Sequence, residues 1–216
     1  MAAPEFWLIA GPNGAGKTTA ISHSSIRVEV QHVRFLNADD RTLAKLREEG
    51  WSSFSDAPFT RLEEVFVAAA EEVFEELTQS LAVGEPIGTE TVLSTLKYQP
   101  IVERVLAAAG FFGLLYIGLR SPELSAQRIA HRVSGGGHDV PAEKLAARWR
   151  RSIRNLGWFA RRADRVFVFD NSDATLEEPP LLIAEGGGGA LEIFAPDAIP
   201  AITESLLTAF SDAPPV

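Results

Sequence analysis

The chain of 216 residues contains no cysteine. Disulfide bonds, thiol catalysis and thiolate-bound metals are therefore excluded, and only oxygen and imidazole ligands remain for a metal ion. The sequence also has no apolar run of about eighteen residues that would span a membrane, and it begins without the basic and apolar stretches of a signal peptide. We therefore expect no membrane association and a cytoplasmic location.

Positive charge is scarce, with 20 Lys and Arg against 29 Asp and Glu and a formal net charge of -9. This balance argues against a nucleic-acid partner, because such binding depends on neutralising backbone phosphates. The basic residues are nevertheless concentrated between Arg128 and Arg165, where few acidic residues accompany them. A basic segment in an acidic protein predicts a localised anion site.

Short apolar runs alternate with stretches of helical periodicity along the chain. Such runs are typical of strands buried on both faces, as in a parallel sheet. The alternation predicts an α/β fold with a mostly parallel five-stranded sheet and helices on both faces, in a single domain covering residues 1–216. The predicted strands are Phe6–Ala10, Val33–Leu36, Pro86–Thr89, Phe112–Ile117 and Val166–Phe169.

Three further elements follow from local patterns. Apolar residues spaced by three and four from Leu62 to Leu81 predict an amphipathic surface helix. Near the end, Leu181–Ala184 and Ala190–Phe194 flank glycines 186–189 and predict a hairpin, because its loop needs residues that tolerate positive φ. A terminal helix is expected from about Asp197 to Phe210.

The segment Gly11–Thr18 matches the P-loop pattern G-x-x-x-x-G-K-[ST] and lies between a predicted strand and a predicted helix. Glycines allow the main chain to curl around phosphates, Lys17 reaches the β and γ oxygens, and the Thr18 hydroxyl ligates magnesium. The alternative, a plain glycine turn, needs neither Lys17 nor Thr18. We therefore expect ATP and Mg²⁺ as cofactors, bound by Gly11, Pro12, Asn13, Gly14, Ala15, Gly16, Lys17, Thr18 and Thr19.

Motifs in a fixed order after the P-loop resemble those of the zeta-toxin family of P-loop kinases. They are Asn37-Ala38-Asp39, Glu90–Ser94, Gly137–Pro141, Arg148–Leu156 and Asp170–Ser172, and they extend the resemblance to about residue 172. The resemblance implies a kinase that phosphorylates a hydroxyl of a nucleotide sugar such as UDP-N-acetylglucosamine, and a small antitoxin protein as a possible partner. One departure is an extra glycine before His138, which affects the length of the predicted lid.

The acceptor is expected beyond the carboxyl ends of the strands, on the same edge of the sheet as the P-loop. Asp39 is the predicted general base, by its chemistry and by its match to the family's N-x-D motif, with Asp40 as a competing carboxylate. The alternatives are a helix N-cap for Asp39, a solvated strand end for Glu90 and a helix cap for Ser94. The predicted acceptor-binding residues are Asn37, Glu90, Thr91 and Ser94.

Arginines on a lid of about residues 128–151 are expected to stabilise the charge that develops on the γ-phosphate. Arg128 and Arg132 lie four residues apart in a predicted helix and so share one face, with residues 134–137 as the lid tip. Arg148 and Arg151 on the next helix are further candidates. The alternative for each is an exposed basic face, whereas His138 and Asp170 are expected to shape loops.

Three functions remain open from the sequence. The first is a nucleotide-sugar kinase, as the resemblance implies. The second is a kinase of another hydroxylated small molecule, such as an antibiotic or a nucleoside. The third is an ATP-dependent switch or binding module that phosphorylates no small molecule.

Overall fold

The structure is a computed structural model that describes residues 3–21, 24–133, 142–173 and 179–211. Within these ranges, no helix is long and apolar enough to cross a membrane. The strands are β1 (Glu5–Ala10), β2 (Arg34–Leu36), β3 (Ile87–Thr91), β4 (Phe111–Gly118), β5 (Arg165–Asp170), β6 (Leu181–Gly187) and β7 (Ala190–Ile193). The helices are α1 (Lys17–Ile21), α2 (Ser24–Val30), α3 (Ala38–Glu48), α4 (Phe59–Val83), α5 (Gln99–Ala107), α6 (Pro122–Val133), α7 (Ala142–Arg162) and α8 (Pro200–Ser211).

One sheet of seven strands runs in the order β2-β3-β1-β4-β5-β6-β7. Strands β1 to β5 pair in parallel, which confirms the predicted α/β class and mostly parallel sheet. The expectation of five strands was wrong for the whole sheet, because β6 pairs antiparallel with β5 and so adds the predicted hairpin to the same sheet.

Two predicted boundaries are corrected by strand pairing and helix position. Strand β3 continues to Thr91, because Glu90 and Thr91 pair with Ile9 and Ala10 of β1. Glu90 therefore lies inside the strand and not beyond its end. The following helix begins at Gln99, so Ser94 lies in the loop before it and the helix-cap alternative for Ser94 was wrong.

Side chains of β1 alternate between two apolar layers, as expected of a strand covered on both faces. Phe6 and Leu8 belong to a core cluster that includes residues of α4, α5, α7 and α8. Trp7 and Ile9 belong to a second cluster with residues of α1 and α2 on the opposite face. The prediction of helices on both faces is confirmed.

The P-loop lies at the point where the order of strand addition in the sheet reverses. After β1 the chain builds β2 and β3 on one side, and it then returns to place β4 and β5 on the other side. Ligands of open parallel sheets bind at such a switch point, beyond the carboxyl ends of the strands. The topology therefore places the loop after β1 between the loops that follow β3 and β4.

A close approach inside the sheet yields a stability prediction. A Cβ on Gly113 of β4 would lie 2.3 Å from Cδ2 and Cε3 of Trp7, in a buried position without slack. We expect Gly113→Ala to lower the free energy of unfolding by about 1–3 kcal/mol, because overpacking a core forces side chains to move. Urea denaturation measures the loss.

A double-mutant cycle tests the cause of this loss. In a Trp7→Leu background the indole ring is absent, so Gly113→Ala should cost clearly less than in the natural sequence. An equal loss in both backgrounds would show that contact with Trp7 is not the reason.

Candidate active site

The P-loop main chain is held by hydrogen bonds to its carbonyl oxygens. Lys17 Nζ donates to the Gly11 oxygen at 3.0 Å and to the Pro12 oxygen at 3.3 Å. Ser125 Oγ of α6 donates to the Asn13 oxygen at 2.5 Å, and Asn171 Nδ2 donates to the Ala15 oxygen at 2.7 Å. Since C=O and N–H of one trans peptide point in opposite directions, the N–H groups of Gly14 and Gly16 face the other side of the loop.

Three glycines of the loop adopt a positive φ that most residues avoid. Gly11 has a φ of 146°, and Gly14 and Gly16 have φ of 72° and 74°. A Cβ on Gly16 would also lie 2.6 Å from Nδ2 of Asn171. The loop therefore has the curled backbone that lets N–H groups surround a phosphate.

Thr18 links the P-loop to β3. Its Oγ1 donates to the carboxylate of Glu90, at 3.1 Å from Oε1 and 3.3 Å from Oε2. Glu90 is thus half-buried against the loop, and the alternative of a solvated strand end was wrong. The two predicted sites, for nucleotide and acceptor, meet at this contact.

The pKa of Glu90 is raised above its ordinary value, chiefly because burial disfavours the charged carboxylate. The charge of Lys17 and the hydrogen bond from Thr18 lower it, whereas the charges of Asp40 and Asp39 raise it further. Both aspartates therefore lie within electrostatic range of Glu90, and Asp40 has the larger effect. Glu90 and the two aspartates thus lie at the same edge of the sheet, and the predicted acceptor site there stays a prediction.

The aspartates belong to the first turn of α3, which follows β2. Asn37 is the N-cap of this helix, and its Oδ1 accepts a hydrogen bond of 2.8 Å from the Asp39 N–H. The alternative that Asp39 serves as the N-cap was therefore wrong, since Asn37 performs that role. The carboxylates of Asp39 and Asp40 remain exposed to solvent on the P-loop edge.

The loop after β3 is held by hydrogen bonds between side chains and its main chain. The Leu93 N–H donates to Oγ1 of Thr91 at 3.1 Å, and Arg151 Nε donates to the Ser94 oxygen at 3.1 Å. Thr91 thus contributes its hydroxyl to the loop itself. The described contact of Arg151 is to this loop and not to the P-loop.

Arg128 connects α6 to both the P-loop and the loop after β5. Its Nη1 lies 3.4 Å from the Gly14 oxygen, and its Nη2 lies 2.8 Å and 3.0 Å from the oxygens of Asn171 and Ser172. The predicted helix is confirmed, yet the guanidinium contacts main-chain oxygens beside the predicted phosphate site. These contacts support the P-loop main chain, and the predicted action of Arg128 on the γ-phosphate stays a prediction.

Other parts of the predicted lid lie outside the described residues. This holds for residues 134–137 and for His138. Arg132 lies in α6, and its predicted action on the γ-phosphate stays a prediction.

The hydrogen bonds made at the end of β5 and in the loop after it go beyond the loop-shaping role that the sequence predicted for Asp170. Asp170 Oδ1 accepts hydrogen bonds from the N–H and the Oγ of Ser172, and Asn171 reaches the P-loop. Ser125 of α6 was not predicted at all. A small hydroxyl in a helical pattern gives no signal that it bonds a carbonyl 112 positions away.

The Zeta toxin family model matches residues 1–177. A structure of the PezAT chromosomal toxin–antitoxin system of Streptococcus pneumoniae is similar with a TM-score of 0.56 and 16% identity, over 95% of this chain and 87% of that chain. A structure of the AvrRxo1-ORF1:-ORF2 complex with ATP has a TM-score of 0.65 and 13% identity, over 94% of this chain. The curated protein sequences gave no match.

At these identities the structural likeness establishes the fold. This chain covers only 64% of the AvrRxo1 chain that it matches. The sheet order and the P-loop that follows β1 define a P-loop protein with the fold of P-loop kinases. Within that class, the chain belongs to the Zeta toxin family.

Glu90 should make stability depend on pH. Because its folded-state pKa is raised, its contribution is fully present below the usual value of 4.5 and is lost as pH rises through the raised pKa. Glu90→Gln, which does not titrate, should therefore gain stability over the natural protein as pH increases across this window. Chemical denaturation at about pH 4 and about pH 8 measures the difference. A difference in unfolding free energy between the two proteins that is constant with pH, or that changes in the opposite direction, would contradict a raised pKa of Glu90.

Arg128 should affect stability and nucleotide affinity together. Arg128→Met keeps the aliphatic stem but removes the donors to the three carbonyl oxygens, so we expect a loss of about 1–3 kcal/mol in unfolding free energy. Weaker ATP binding should accompany it, measured by calorimetry. Arg150→Met, at an exposed position of α7, serves as the control. Unchanged stability and affinity with a slower reaction would instead indicate direct action on the transferred phosphoryl group.

Proposed function

We propose that this protein is an ATP-dependent kinase that transfers the γ-phosphoryl group to a hydroxyl of a small molecule. The observation that carries the proposal is the hydrogen bond between Thr18 of the P-loop and Glu90 of β3. It joins a nucleotide-binding loop to a group of carboxylates on the same edge of the sheet. A P-loop that served only binding or switching could pair Thr18 with one carboxylate that supports magnesium, but it would not need the two further carboxylates of α3 at the same edge.

The P-loop fits the phosphates of ATP by its donors and shape. The loop glycines turn N–H groups toward one side while neighbouring side chains hold the carbonyl oxygens on the other. Lys17 adds a positive charge at the same place. The ATP named in the similar AvrRxo1 structure and the membership of the Zeta toxin family support ATP as the phosphoryl donor.

Thr18 and Glu90 fit a magnesium ion shared with the phosphates. Mg²⁺ prefers oxygen ligands and is commonly held by one or two protein groups together with phosphate oxygens and water. Over the described ranges, no group of three or more His, Cys, Asp or Glu is arranged to hold a metal alone. Bound there, the ion would neutralise charge on the β and γ oxygens.

Asp39 is the proposed general base, and Asp40 remains the competing candidate. A carboxylate near the P-loop orients the acceptor hydroxyl and accepts its proton as the oxygen attacks phosphorus. Exposure at the sheet edge gives Asp39 access to a substrate. On the other side of the proposed acceptor, Glu90, Thr91 and Ser94 of β3 and the loop after it form what we call the acceptor wall. Asn37 fixes the start of α3, the helix that carries Asp39.

UDP-N-acetylglucosamine is the proposed acceptor, because the motifs that resemble the zeta-toxin family include those of its acceptor side. The similarity to a PezAT toxin–antitoxin structure supports a small antitoxin protein as a possible partner. We further infer that residues 1–216 form one kinase domain working in the cytoplasm, where its proposed donor is made. A different hydroxylated small molecule is the alternative acceptor on the same site.

Replacing the proposed base tests the mechanism. Asp39→Asn should lower kcat for phosphorylation of UDP-N-acetylglucosamine by about 10²–10⁴-fold, since the hydroxyl loses its proton acceptor. ATP affinity should change little, because Asp39 lies outside the P-loop. Product formation is followed by mass spectrometry of the nucleotide sugar.

Asp40→Asn is the matched control on the same helical turn. It should retain most of the rate if Asp39 is the base, and the opposite pattern would assign the role to Asp40. Lys17→Ala should weaken both ATP binding and transfer. Full activity in both aspartate variants would show that neither carboxylate accepts the proton.

A further inference from the structure

Helix α7 donates side-chain hydrogen bonds to main-chain oxygens of two loops at the edge of the sheet that carries the P-loop. Trp149 Nε1 donates to the Leu119 oxygen after β4 at 2.9 Å. Arg151 Nε donates to the Ser94 oxygen at 3.1 Å, and Asn155 Nδ2 donates to the Leu93 oxygen at 2.8 Å, both after β3. One helix thus holds the loops on two sides of the site.

The held loop contains a residue in an unusual conformation. Leu93 has a φ of 60°, in the left-handed region that residues other than glycine seldom adopt, and its side chain is fully buried. Such a conformation persists only where the surroundings determine it, and it is frequent at functional sites. Here the surroundings are the Thr91 hydroxyl on the Leu93 N–H and the Asn155 amide on the Leu93 oxygen.

Helix α7 is a firm support for this contact. Its Ser152 Oγ lies 3.0 Å from the Tyr116 hydroxyl of β4, and both side chains are completely buried. Leu156 and Phe159, on the same helix, belong to the main apolar core. Asn155 lies between Ser152 and Leu156 in the sequence of α7 and is itself buried. Its side-chain amide therefore has little freedom to turn away from the Leu93 oxygen.

We propose that Asn155, assisted by Arg151, is a positioning residue for the acceptor. By holding Leu93 and Ser94 in place, it sets the path of the main chain that follows Glu90 and Thr91. This inference deepens the proposed function and rests on it. It also gives Arg151 a role other than the action on the γ-phosphate expected from the sequence.

A specific kinetic pattern follows. The P-loop has its own supports in Ser125, Arg128 and Asn171, none of which touches the loop after β3 in the described contacts. Loss of the Asn155 amide should therefore loosen the main chain after Thr91, whereas Glu90 and Thr91 stay paired with β1 and keep their contacts with the P-loop. The KM for the acceptor should rise, whereas the KM for ATP should stay nearly constant.

The first test is Asn155→Leu, which keeps the side-chain volume but leaves the Leu93 oxygen without its donor. We expect the KM for UDP-N-acetylglucosamine to rise about tenfold and the KM for ATP to change by less than about twofold. Amide hydrogen exchange in the free protein should accelerate about tenfold or more over residues 92–98, with little change in the P-loop.

Thr203→Val is the matched control. Thr203 Oγ1 of α8 donates to the Pro196 oxygen at 2.8 Å, and Thr203 is as buried as Asn155, with 8% of each residue exposed. The control removes the same kind of hydrogen bond away from the site. It should lower stability without altering either KM or the exchange of residues 92–98.

Arg151→Met provides a milder second variant should Asn155→Leu fail to fold, since it removes only the donor to Ser94. It should give the same pattern with smaller changes. Unchanged exchange over residues 92–98, or kinetics identical to those of Thr203→Val, would overturn the proposal. If the natural protein does not phosphorylate UDP-N-acetylglucosamine, that acceptor is wrong, and hydrogen exchange alone decides whether α7 holds the loop.

Discussion

Side-chain donors from distant parts of the chain hold the carbonyl oxygens of the P-loop, and the rest of the site depends on that constraint. Ser125 and Arg128 come from α6, and Asn171 comes from the loop after β5. A glycine-rich loop has many accessible conformations, so its curled form would be costly to maintain without such supports. The fixed loop then sets the position of Thr18, and through it the contact with β3.

The contact between Thr18 and Glu90 follows from strand register. Parallel pairing places Glu90 opposite Ile9, one residue before the end of β1 and two before the P-loop begins. A shift by one residue would turn the Glu90 side chain to the other face of the sheet. The register therefore brings a carboxylate to the P-loop, and burial there raises the pKa of that carboxylate. Sheet geometry thus couples the two halves of the proposed kinase site.

The sequence predicted the fold wherever local patterns carried the information. The apolar runs located all five parallel strands, and the fixed positions of the P-loop pattern located the curled glycine-rich loop after β1. The predictions were less accurate where a distant partner decides the outcome. Glu90 was placed beyond its strand because the pairing with Ile9 that extends β3 leaves no mark in the local sequence. For Ser94, by contrast, Pro100 in the first turn of α5 was a local signal that this helix starts later. The contacts of Arg128 and Asn155 to main-chain oxygens depend on tertiary packing alone.

Phosphorus NMR of the natural protein with ATP, Mg²⁺ and UDP-N-acetylglucosamine tests the central claim most directly, because it distinguishes transfer from hydrolysis. The account predicts a new phosphomonoester signal on the nucleotide sugar that grows as the γ-phosphate signal of ATP declines, in equal amounts. Conversion of ATP to ADP and inorganic phosphate alone, at a rate independent of any hydroxylated acceptor, would contradict it. Such a result would favour an ATP-dependent switch over a kinase.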